Sequence, residues 1–154
     1  MDMATPSPGH ELMKRLAGTW EGPETMHPSP WDPEGSTAFG RNRNSLQLRG
    51  FALITDYEQL RNEEVGFVGH GVLTFDAEVD LYTLHWFDSM GSPPEVFTGA
   101  FAGDGMILEH GGPGMHARLT WDLSEPNLMR CSMDMREDVA DWKRLFDADY
   151  RRTE

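Results

Sequence analysis

The chain has 154 residues, 38% of them hydrophobic, with 26 acidic against 13 basic side chains and a formal net charge of −13. That length suits one domain with a sizeable core, and the composition excludes both a disordered chain and a membrane-spanning one. A surface this acidic repels phosphate backbones and anionic lipid, so neither nucleic acid nor a membrane is an expected partner.

The first predicted element is a helix. Ser7 suits its N-cap and Pro8 its first position, while Leu12, Met13, Leu16 and Ala17 share one face and Gly18 ends it. Beyond Gly18 the pattern turns to period two. A first strand runs from Thr19 to Met26, weakened by Pro23, and the proline-rich stretch His27 to Gly35 reads as a loop long enough to fold over a barrel mouth. Further strands are predicted at 36–48, 51–61, 64–76, 81–88, 95–101, 105–110, 114–123, 128–136 and 140–151, separated by turn chemistry such as Arg61-Asn62-Glu63 and Ser124-Glu125-Pro126-Asn127. Cys131, the single cysteine, is in phase with Met129 and Met133 and reads as a small buried apolar residue; no intrachain disulfide can form.

Ten short strands without a second helix argue for an up-and-down antiparallel meander that closes on itself to remove its edges. The expected fold is an all-β, lipocalin-like barrel with a short N-terminal helix, wide enough for one small ligand. Residues 1–9 read as a tail and 10–154 as the barrel domain. In the last strand Trp142, Arg144, Phe146, Ala148 and Tyr150 are expected to face inward. In the strand at 114–123, Met115, Ala117, Leu119, Trp121 and Leu123 alternate cleanly with His116, Arg118, Thr120 and Asp122, and an interior lined for a polar ligand would reverse which set faces inward. The N-terminal residues lack the basic and apolar regions of a signal peptide, and with one cysteine this favours a cytoplasmic setting.

Several runs together carry a resemblance: Leu16-Ala17-Gly18-Thr19-Trp20 after a short helix, Gly71-Val72-Leu73-Thr74-Phe75-Asp76, Tyr82, Trp86-Phe87-Asp88-Ser89-Met90-Gly91, and the closing strand Trp142 to Arg151. In this order they resemble the bacterial family called domain of unknown function 1579, from about His10 onward. The resemblance implies a calycin-type β-barrel and no general activity. The Met90-Gly91-Ser92-Pro93-Pro94-Glu95 segment departs from it and is expected to reshape a loop beside the pocket. Haem, a theme of nitrobindin-like relatives, asks for a late histidine, and residues 117–154 contain none, so no cofactor is expected.

The richest segment is Leu81 to Asp88, where Tyr82, Leu84, Trp86 and Asp88 share one strand face and Thr83, His85 and Phe87 the other. Asp88, at a strand end beside Trp86, suits a general acid or base at an apolar rim, or simply a turn cap. His70, between Gly69 and Gly71, is a second proton-transfer candidate or a hydrogen-bonded core histidine. Arg144 on an apolar face needs a partner, either a ligand carboxylate or a protein carboxylate such as Asp88 or Glu109. Trp86, His85, Arg144, Tyr150, Arg118 and Trp20 form the expected ligand-binding set. The six histidines never fall at zincin spacing; His110 with His116 across a turn is the only strand-like metal option, and no metal is expected.

Two functions follow. The first is a binding protein that encloses a small apolar or amphipathic molecule, with a carboxylate or carbonyl near Arg144. The alternative is a cofactor-free cyclase, isomerase or hydrolase working by acid–base catalysis, with Asp88 or His70 moving a proton and Arg144 or Tyr150 stabilising an oxyanion. A filled barrel acting as an interaction protein is a third option, and a homodimer is left open.

Overall fold

In the computed structural model, which describes all 154 residues, Ser7 precedes α1 (Pro8–Leu12), whose helical path tightens into a 3₁₀ turn over Met13–Leu16. His10 acts as the third residue of a capping box: its Nδ1 lies 3.1 Å from the Ser7 backbone N–H and 2.8 Å from Ser7 Oγ. The ring of His10 is buried edge-on against Phe51 and Phe75.

Ten antiparallel strands follow: β1 (Gly18–Met26), β2 (Ser36–Gln47), β3 (Ala52–Arg61), β4 (Glu64–Asp76), β5 (Leu81–Asp88), β6 (Glu95–Ala102), β7 (Gly105–Gly112), β8 (Met115–Asp122), β9 (Leu128–Glu137) and β10 (Lys143–Arg152). Each pairs with its neighbours in sequence, and β1 pairs with β10 to close the barrel. The seam ladder lapses between Glu21 and Glu24, where Pro23 has no N–H to donate. The β3–β4 hairpin turns on Asn62 and Glu63, both at positive φ (52° and 65°), the geometry that matches strand twist. No helix is long and apolar enough to cross a membrane.

The helical segment plugs one end. Met13, Leu16 and Trp20 are at most 1% exposed, and burying each such side chain contributes about 2 kcal/mol. The plug's free carbonyls, which a helix end leaves without partners, are met by the barrel. Trp20 Nε1 and Asn44 Nδ2 donate to Leu16 O at 3.0 and 2.9 Å, and Arg152 donates to Ala17 O and, at 3.3 Å, to Arg15 O. The Arg152 guanidinium also lies 4.2 Å over the Trp20 ring, so the last strand clamps the plug.

The inward set on β10 differs from the expected one. A β-bulge between Arg144 and Phe146 shifts the alternation. Phe146, Ala148 and Tyr150 point inward, whereas Trp142 and Arg144 lie on the outer face; the Trp142 ring sits beneath the guanidinium groups of Arg118 and Arg136 at 4.3 and 4.6 Å. On β8 the inward set is Ala117, Leu119 and Trp121.

Candidate functional site

The barrel is hollow above the plug. A cavity of about 770 Å³ runs from Leu16 and Asn44 at the closed end to a mouth bordered by the His27–Gly35 loop, Arg61, Asp88 and Glu95. That volume lies within the range of small-molecule sites. Its two sides differ in chemistry. The wall built by β1, β2, β3 and β10 presents Glu24, Asn42, Asn44, Thr55, Tyr57, Gln59 and Tyr150. The wall built by β5, β6, β8 and β9 presents Leu84, Trp86, Phe97, Leu119, Trp121, Met129, Cys131 and Met133.

Glu24 organises the polar wall. It is 1% exposed, in phase with Trp20 and Gly22 on the inward face of β1. Tyr57 Oη donates to both carboxylate oxygens at 2.8 and 2.7 Å, Gln59 Nε2 donates to Oε1 at 3.1 Å, and Tyr150 Oη donates to Oε2. A carboxylate taken out of water without partners costs several kcal/mol. Hydrogen bonds to a charged group return about 1.5–3 kcal/mol each, so three donors offset the burial. Gly40 makes the arrangement possible, since a Cβ there would lie 2.2 Å from Glu24 Oε2 and 2.9 Å from the Tyr150 ring.

The same burial keeps the neighbours protonated. Desolvation, reinforced by the Glu24 charge, pushes the Tyr57 hydroxyl well above the usual tyrosine value. Tyr150 is raised likewise, by desolvation first and then by its neighbours Cys131, Glu24 and Tyr57. Burial, with a smaller contribution from Glu24, pushes the Cys131 thiol up to about 12, which removes it as a nucleophile at neutral pH.

On the facing side Trp86 Nε1 donates to Asp88 Oδ2 at 2.9 Å, and the other oxygen of Asp88 accepts the Met90 N–H at 3.0 Å. Asp88 therefore lines the cavity mouth and caps the turn after β5 at once. The glycines around His70 serve the indole: a Cβ at Gly69 would lie 2.2 Å from the Trp86 ring, and one at Gly71 3.3 Å from it.

Of the residues expected in the site, Asp88, Trp86 and Tyr150 line the cavity. The others lie elsewhere. His70 is on the outer face, 2.8 Å from Asp56, because the inward positions of β4 at that level are the two glycines. His85 is exposed on the outer face of β5, out of phase with Trp86. Arg144 and Arg118 converge on Asp134 at 2.7 and 3.3 Å outside the barrel, so the bulge on β10 and the parity of β8 remove both from the cavity. Trp20, on β1, turns its indole to the plug and not to the cavity. No group of three His, Cys, Asp or Glu side chains is arranged to hold a metal ion, and His110 Nδ1 is engaged with Val96 O at 2.8 Å.

Sequence reasoning missed Glu24, Tyr57 and Gln59. Their signal is present: Glu24 continues the phase of Trp20, and Tyr57 and Gln59 continue that of Leu53. Polar residues in the inward phase of a barrel strand mark a lined interior.

The family model described as protein of unknown function (DUF1579) matches residues 5–152, nearly the whole chain. No curated protein matches it in sequence. In three dimensions the chain is similar to the crystal structure of Rv2717c from M. tuberculosis, with 14% identity and a TM-score of 0.69 over 96% of this chain and 99% of that one. It is also similar to the S-type phycobiliprotein lyase CPES from Guillardia theta, with 12% identity and a TM-score of 0.62 over 97% and 99% of the two chains. At these identities the likeness establishes the barrel fold.

Proposed function

The chain belongs to the DUF1579 family, and from that premise we propose that its barrel binds a small, mostly apolar molecule. The observation that carries this reading is the cavity of about 770 Å³, apolar over one wall and hydrogen-bonding over the other. Methionines and flat indoles adapt to varied apolar shapes, while fixed polar groups orient what enters. Trp86 and Met133 would contact the ligand body, and Tyr150 its polar end. One similar barrel is named a lyase, which agrees with a small-molecule partner at the level of fold alone.

The contacts favour binding over acid–base catalysis. Both oxygens of Asp88 are held by Trp86 and Met90, and Glu24 is surrounded by its own donors. The carboxylate or carbonyl anticipated near Arg144 loses its basis, because Arg144 is outside the barrel.

Titration with N-phenyl-1-naphthylamine, a neutral apolar fluorophore, tests the reading. Saturable one-to-one fluorescence enhancement is expected, with affinity falling about tenfold in Trp86→Ala as apolar contact is lost. Absence of any enhancement in the folded protein would reject the binding function.

A further inference from the structure

The charges that line the cavity specify its ligand further, given the binding reading above. Four carboxylates face it, Glu24, Asp32, Asp88 and Glu95, against the single guanidinium of Arg61 and the imidazole of His27. None of the four is ion-paired to a cation of the chain. His27 is already matched by Asp147 at 2.7 Å, and Arg61 turns a nitrogen to Thr37 O at 3.4 Å. The deep end adds an acceptor that has no partner but is covered from the open volume. Asn44 Nδ2 is anchored on Leu16 O, which fixes the amide's orientation and leaves Oδ1 buried in the lining without a donor.

Asp32 and Asp88 are half-buried and Glu95 is exposed at the mouth, while Glu24 is desolvated behind its three donors and acts through its field, so an anion is repelled by all four and a cation attracted. Trp86 and Trp121 line the same cavity, and indole rings attract cations as well. We infer that the ligand is a lipophilic amine: an apolar body bearing a protonated nitrogen that is held on the Glu24 side of the barrel, with the corresponding carboxylate rejected.

Three compounds that share one chain, decylamine, decanol and decanoate, separate the possibilities when each displaces N-phenyl-1-naphthylamine at neutral pH. The measurement is made in about 0.5 M salt, where attraction to the acidic outer surface is screened within a few ångströms. Decylamine is expected to displace the probe at a concentration about tenfold below decanoate, with decanol between them. Glu24→Gln and Asp88→Asn, each checked for fold by circular dichroism, are expected to narrow the gap between amine and carboxylate. Equal potency of the three compounds, or decanoate as the strongest, overturns the amine assignment and leaves the binding function standing. A gap unchanged in both variants overturns the role of these carboxylates. Failure of the probe itself to bind rejects the binding function, and the amine assignment with it.

Discussion

The two walls of the cavity are built on opposite plans. On β1, β3 and β10 every polar group of the Glu24 cluster is tied to another, with Tyr57, Gln59 and Tyr150 converging on one carboxylate. On β5, β8 and β9 the lining is indole, methionine, leucine and the Cys131 thiol, with Trp86 tied to Asp88 at the rim. The first wall is costly to alter in any one place, because each change strands a buried partner. The second is less interlocked, and its Trp86, Trp121 and Met133 are only half-buried where they line the open volume. A cavity made this way fixes where a polar head goes and leaves the shape of the apolar body free.

The largest effect should come from stripping the polar wall. In the double variant Tyr57→Phe with Tyr150→Phe, Glu24 keeps its burial and loses two of its three donors. A loss of about 4 kcal/mol in urea denaturation is expected. Met133→Ala on the facing wall should cost about 1–2 kcal/mol, since it enlarges a space that already exists. A reversed order would show that the Glu24 cluster does not organise the interior.

Alkaline pH sharpens the same contrast. Tyr57 and Tyr150 are raised from 10.0, and Cys131 from 9.0 to about 12, so the folded barrel keeps protons that the unfolded chain releases. The stabilisation from these groups is whole below pH 9 and is lost as the pH climbs above it. The melting temperature should decline above pH 9 by more than it does in the double Tyr→Phe variant. Equal declines would place the alkaline sensitivity outside this wall.

The smallest effect is expected outside the barrel. His70→Ala removes an exposed pair with Asp56, so stability should change by about 0.5 kcal/mol or less and probe affinity should stay as it is. A tenfold loss of affinity would mean that the outer face of β4 takes part in binding.

Much of the fold was legible in the residues, because strand alternation and turn chemistry are local. The ten strands fall where period two and the Asn, Gly and Pro breaks put them. The inward phase of β10 was legible only from Phe146 onward, since a bulge adds a residue without a sequence mark of its own. Site residues were harder to read. Trp86, Asp88 and Tyr150 stood out as aromatic and acidic groups in an inward phase, and they line the cavity. His70 and Arg144 have the chemistry of site residues, and both lie outside. Glu24 carries no local mark beside Pro23, because its meaning comes from Tyr57 and Tyr150, which are 33 and 126 residues away in the chain. Gly69 marks a place for close approach, but only the fold shows that Trp86 is what approaches.

The most direct test of the barrel interior as the binding site is to fill it. Thr55 lines the polar wall of the cavity between Leu53 and Tyr57, and Thr55→Trp would project an indole into the open volume. The account predicts a variant that remains folded by circular dichroism and no longer binds N-phenyl-1-naphthylamine. A folded variant that binds the probe with undiminished affinity would contradict it, because the molecule would then be held somewhere other than the barrel.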